Sequence, residues 1–152
     1  MSLDMSIQID GLDDLVDSFK KSPSIVRKHG NDAIKKSILT LLANAKKAAP
    51  VDRGFLRTSG MVFSFSDLQG LLQNVAPYAI YVHEGTRPHY VPIGAIQGWA
   101  DRHGIPAFAV QRSIMRKGTK PRPFFRDSIE ESQSDVDKFF SKALENIIKE
   151  LT

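Results

Sequence analysis

The chain contains no cysteine among its 152 residues, which removes disulfide frameworks, thiol catalysis and thiolate metal sites together. It also lacks any run near the ~20 apolar residues of a membrane-spanning helix, and its start lacks the basic and apolar stretches of a secretory signal. Stability must therefore come from packing, and the expected product is soluble, non-secreted and without a membrane partner. Acidic residues are nearly missing from one region. Between Thr86 and Arg126 there are eight basic residues and one acidic, whereas Asp127 to Thr152 carries three basic and seven acidic, and residues 1–85 are close to balance. The net charge of +4 thus hides a polarised chain, a basic middle beside an acidic tail. Such a middle suits a phosphate backbone or the opposite patch on a copy of the same chain. The remaining composition, 41% hydrophobic and 25% charged, is that of an ordinary globular protein, and the length fits one domain over 1–152. Residues 1–4 carry no structural weight, since Met5 is an alternative native start.

Periodicity gives the elements. Ile7 and Ile9 alternate with polar neighbours as in an edge strand, and Leu12, Leu15, Val16 and Phe19 fall on one helical face, a short helix closed before Pro23. Ser22 and Pro23 are a good helix start, so a second, long amphipathic helix is predicted from there to Ala49, where Pro50 stops it. Thr58 to Phe65 reads as a strand with Met61, Phe63 and Phe65 on one side. Residues 66–70 supply turn chemistry, and Leu71 to Val75 returns as the second strand of a hairpin. Pro77 to Glu84 is read as a helical turn in preference to a strand. Short helices are predicted from Pro92 to Gly104 and over Ala107 to Lys117, with exposed loops at 85–92 and 117–123. A last long helix spans Asp127 to Leu151. The expected fold is α+β: a hairpin-based antiparallel sheet packed by two long amphipathic helices, with short helices in a basic middle insertion.

No catalytic constellation emerges. His83 and His89 flank a Glu but stand six residues apart across Gly and Pro, whereas a zinc-binding helix needs two His four apart on one face. Gly118-Thr119-Lys120 lacks the upstream glycine of a phosphate-cradling loop, and neither Ser59 nor Ser64 has a Gly-x-Ser-x-Gly setting. Neither an enzyme activity, a metal, a cofactor nor a small-molecule substrate is expected. The aromatics of the basic window, Tyr90, Trp99, Phe108, Phe124 and Phe125, sit at core-like spacings and are expected to be buried, although their composition also fits a nucleic-acid surface.

Three short motifs stand in order between the two long helices: Ala49-Pro50-Val51-Asp52-Arg53-Gly54-Phe55-Leu56-Arg57-Thr58-Ser59, Tyr78-Ala79-Ile80-Tyr81-Val82-His83-Glu84-Gly85-Thr86, and Arg122-Pro123-Phe124-Phe125. Together they resemble the small tail-component family of long-tailed bacteriophages, also described as head–tail joining or tail-completion proteins, over about Ile7 to Leu144. Arg53 stands where that family usually has Thr, and His83 where it usually has Glu. The resemblance implies a non-enzymatic virion or prophage component, assembled in the bacterial host cytoplasm and located at the neck or tail. There it forms a homo-oligomeric ring, a hexamer being one option, between the head-side connector and the tail proteins, with DNA crossing the ring.

Physical reading gives these residues roles. Pro50, Asp52 and Gly54 are expected to shape the turn after the long helix, Asp52 by accepting backbone N–H groups and Gly54 by a positive φ. Arg57, Glu84, Thr86, Arg87, Lys120, Arg122 and Phe124 are candidate subunit or partner contacts, and Arg112, Arg116 and Lys117 are candidate cations facing a lumen or DNA. A basic nucleic-acid-binding module is the alternative function.

Overall fold

A computed structural model describes residues 12–58 and 60–151, apart from the side chains of 12–16 and 19. The predicted strand at Ile7 and Ile9 lies outside the described residues. The chain is α+β. Helix α1 runs Leu12–Ala48, followed by strands β1 (Met61–Ser66) and β2 (Gln69–Asn74), then α2 (Ala79–Glu84), α3 (Ile93–Arg102), α4 (Ala107–Lys117) and α5 (Phe124–Leu151).

The two predicted helices before Pro50 are one. Pro23 lies inside α1 and does not end it. A proline costs an interior helix an N–H bond and crowds the preceding turn, but Ser24 Oγ donates to the Lys21 carbonyl at 2.8 Å and satisfies one acceptor nearby. The stripe downstream supplies the compensation: Ala33, Ile38, Leu42, Ala45 and Ala49 are all buried.

That stripe packs on α5, and the ion pairs fix the direction. Lys28 and His29, toward the start of α1, meet Glu150 at the end of α5 at 2.9 and 2.8 Å, while Lys47 meets Glu131 near the start of α5 at 3.1 Å. The helices are therefore antiparallel. Small residues bring them close: Ala45, Ser128 and Ser132 are completely buried, and their hydroxyls are satisfied, Asn44 Nδ2 donating to Ser132 Oγ at 2.9 Å and Ser132 Oγ to the Ser128 carbonyl at 2.6 Å.

The hairpin is antiparallel, pairing Met61 with Asn74 through Ser66 with Gln69 around a turn at Asp67 and Leu68. Its tip is tied to α1. Leu68 N–H donates to Asn31 Oδ1 at 2.7 Å, and Arg27 pairs with Asp67 at 3.3 Å. Gly70 lies so close to Ile34 and Ile38 that a Cβ there would meet them under 3 Å. Of the three residues predicted to share one side of the strand, only Met61 reaches the core; Phe63 and Phe65 are exposed and pack on each other at 5.5 Å. Two strands are too narrow to cover both a helix and their own outer face.

The apolar core gathers where α1 ends. Leu42, Ala45, Ala49, Leu56, Met61, Ala76, Ala79 and Phe124 are buried together, with Leu72, Val82 and Phe125 against them. Helix α5 begins one turn earlier than predicted because Pro123 opens it, its carbonyl accepting the Asp127 N–H at 2.9 Å. Phe124 thereby points into this core and is not the partner contact expected of it. Helices α3 and α4 pack on each other, each entered through a proline, Pro92 and Pro106, and α4 is closed at Gly118. No described helix is long and apolar enough to cross a membrane.

Candidate functional site

Pro50 ends α1, and the chain turns through Gly54, whose φ of +83° is the left-handed region glycine tolerates. Arg57 then folds back under the helix it follows. Its guanidinium donates to the Ala49 carbonyl at 2.9 Å, occupying an acceptor left open at the end of α1. Arg57 is thus an intramolecular cap, half-buried. Asp52 does not serve its own turn either. It accepts from Arg102 Nε of α3 at 2.9 Å and from the second guanidinium nitrogen, a bidentate pair that ties the turn to the basic insertion. The Arg102 guanidinium holds the Asp52 carboxyl below its ordinary value.

The loop after α2 and the arm after α4 are pinned to each other. Thr86 and Thr119 exchange backbone N–H···O bonds at 3.2 Å in both directions, with their hydroxyls 3.1 Å apart. Gly118 presses against this bridge: a Cβ would sit 1.8 Å from the Thr86 carbonyl oxygen. Arg122 N–H donates to the Val82 carbonyl at 2.9 Å, carrying the arm back to α2. The segment 117–123, expected as an exposed extended arm, is exposed but anchored.

These connections enclose an open groove of about 1390 Å³, floored by the 50–56 turn, α2 and α3 and edged by the Thr86–Thr119 bridge. All three sequence motifs meet there, contributing Pro50, Asp52 and Gly54, then Tyr78, Tyr81 and Thr86, then Arg122. Phe55, Tyr81 and Trp99 give it aromatic walls, and the Trp99 ring stacks on His103 with centroids 4.3 Å apart. Arg53, Arg87, Lys120 and Arg122 line it as well, and none of them pairs with a carboxylate among the described residues. Asp52 is the one acidic lining residue, and Arg102 neutralises it. The groove therefore presents a positive, aromatic surface.

Of the predicted contact residues, Thr86, Arg87, Lys120 and Arg122 are brought together here. Glu84 lies at the end of α2 beside His83, 3.4 Å from its Nε2. Arg112, Arg116 and Lys117 are exposed on α4, outside the groove. The aromatics contradict the expectation of burial. Phe124 is 2% exposed and Phe125 packs on it, but Tyr90 is 69% and Phe108 64% exposed, with Trp99 also at the surface. The short α3–α4 pair has too little apolar area to enclose them. Sequence reasoning missed Tyr81, Arg102 and His103. The Trp99–His103 spacing of one helical turn was the only local signal, since Asp52 and Arg102 are fifty residues apart.

The histidines do not converge. The His83 ring lies edge-on to Phe124 at 5.5 Å, His89 Nδ1 bonds the Arg87 carbonyl at 2.8 Å, and His103 Nδ1 bonds the Trp99 carbonyl at 2.8 Å. Fixed cations and flat apolar rings surround His89 and His103 in the groove. Comparison with protein-family models, with curated proteins and with solved structures returns no match.

Proposed function

We propose that this chain is a structural, non-enzymatic component of a long-tailed phage or prophage particle, acting at the neck or tail and assembling as a homo-oligomeric ring between the head-side connector and the tail. The motif resemblance supplies the family. The observation that carries the assembly itself is the surface left uncovered. The chain has 11227 Å² of accessible surface for 16.9 kDa, where a compact monomer of that mass has about 7,700 Å². Counting every undescribed residue as fully exposed removes at most about 2,000 Å² of the difference. About 1,500 Å² remains as surface that a compact monomer of this mass would bury.

Light scattering across protein concentration and salt tests this reading. The expected result is a mass well above one chain at low salt that falls as salt screens the contacts. A strict monomer at every concentration, which also fails to join phage particles, contradicts it.

A second reading, a nucleic-acid-binding module, is favoured by one observation: Phe108 is exposed on α4 one turn before the exposed Arg112, with Arg116 and Lys117 exposed further along the same helix. It predicts duplex binding whose affinity falls steeply with salt, with a log–log slope reduced by about 3 when all three cations are replaced by glutamine. No binding at low salt removes it. The two are compatible where DNA crosses a basic ring.

A further inference from the structure

The groove is a half-site, and the other half is on the same molecule. On α5, Ile129, Phe140 and Leu144 fall within about 60° of one another at 100° per residue, and all three are exposed, Leu144 at 60%. They lie beside the seam with α1 without entering it. Glu130 and Asp137 edge the same stripe, and residues 127–137 contain five acidic side chains and no basic one, with Arg126 before them and Lys138 and Lys142 beyond Asp137 on the outer side of the rim. Neither Glu130 nor Asp137 pairs with a cation among the described residues; Asp137 accepts only from Gln133. This is an apolar ridge with an acidic rim. The groove has the converse pattern, with Phe55, Tyr81 and Trp99 inside and Arg53, Arg87, Lys120 and Arg122 about it.

We infer that the groove of one subunit takes the α5 face bearing Ile129, Phe140, Leu144, Glu130 and Asp137 from a second copy of this chain. The inference rests on the assembly reading and specifies which surfaces meet. No α5 residue lines the subunit's own groove, so both surfaces stay open on one molecule. Two different patches joined head to tail propagate, and close into a ring when the rotation allows. Buried aromatic and aliphatic anchors supply the affinity, while the charged rims fix register and partner choice.

The test uses three forms of the full chain, each with its thermal midpoint checked against wild type. A groove variant carries Arg87→Glu and Arg122→Glu, a face variant Glu130→Lys and Asp137→Lys, and a swap variant all four. All four positions are exposed, so the fold is expected to persist. Mass photometry or sedimentation then reads assembly. The groove and face variants should each need about tenfold higher concentration to assemble. Mixed together, they should recover assembly as alternating copies, because each intact groove meets an intact face and each glutamate-bearing groove meets a lysine-bearing face. The swap variant should recover assembly. Leu144→Asp, which leaves the rim charges in place, should weaken assembly to a similar extent. If the groove variant assembles as wild type does, or the mixture fails to recover assembly, this inference fails while wild-type assembly leaves the broader reading standing. If wild type never assembles, both fail.

Discussion

Replacing Phe124 by alanine separates a core residue from a contact residue. Phe124 is 2% exposed, lies edge-on to His83 at 5.5 Å and against Phe125 at 5.1 Å, and sits among Leu42, Ala45, Leu56 and Met61. Truncation removes a phenyl ring from the cluster where α1, β1, α2 and α5 meet, so the void has several walls and little freedom to collapse. The expected loss is about 3–5 kcal/mol, a large share of the 5–15 kcal/mol that typically holds a domain together. At about 2–4 °C per kcal/mol for a chain of this size, the thermal midpoint should fall by roughly 10–15 °C. Phe108→Ala is the control. Its ring is 64% exposed, and its removal should change stability by no more than about 0.5 kcal/mol. Urea unfolding followed by far-ultraviolet circular dichroism at fixed pH measures both. A Phe124→Ala cost under about 1 kcal/mol, or equal costs for the two variants, would refute the assignment of Phe124 to the core.

Pro23→Ala should stabilise the chain by about 1–3 kcal/mol in the same assay, because the helix already continues through that position without the missing N–H bond; a destabilised variant would mean that α1 is broken there. Gly118→Ala should cost at least about 2 kcal/mol, since the left-handed φ of +71° and the 1.8 Å approach to the Thr86 carbonyl leave no room for a Cβ; an unchanged midpoint would deny the Thr86–Thr119 bridge. Acid sensitivity follows from Asp52, whose carboxyl is held below its ordinary value by Arg102. A depressed folded value means that the contribution is complete above the ordinary carboxylate range and is lost as pH falls through the folded value. Asp52→Asn should therefore flatten the decline in stability below about pH 5, and an identical acid profile would contradict the pairing. Glu150, lowered by Lys28 and then His29, acts in the same window and remains in the variant.

Local punctuation was readable. Helix α4 has the predicted ends, Ala107 and Lys117, because Pro106 and Gly118 act within one turn of them, and the hairpin register follows from a turn whose residues decide it. Failures came where distance in the chain decides. Pro23 reads as a boundary, yet the buried stripe beyond it continues onto α5 and outweighs the local cost. Asp52 reads as a turn residue until Arg102 arrives from fifty positions away, and the cap that Arg57 gives the end of α1 leaves no mark in the local sequence. Burial of Tyr90, Trp99 and Phe108 was expected from their spacing, but spacing says which side chains share a face and not whether anything covers it. Of the site, the cations Arg87, Lys120 and Arg122 were legible, while their convergence with Tyr81 and Trp99 depends on the Thr86–Thr119 bridge.

Electron microscopy of the purified full chain at low salt tests the central claim, that this surface is built to be covered by copies of itself. Annular particles of uniform diameter are the predicted result. A field of single small particles at every concentration, unchanged when tail or connector components are added, would contradict it.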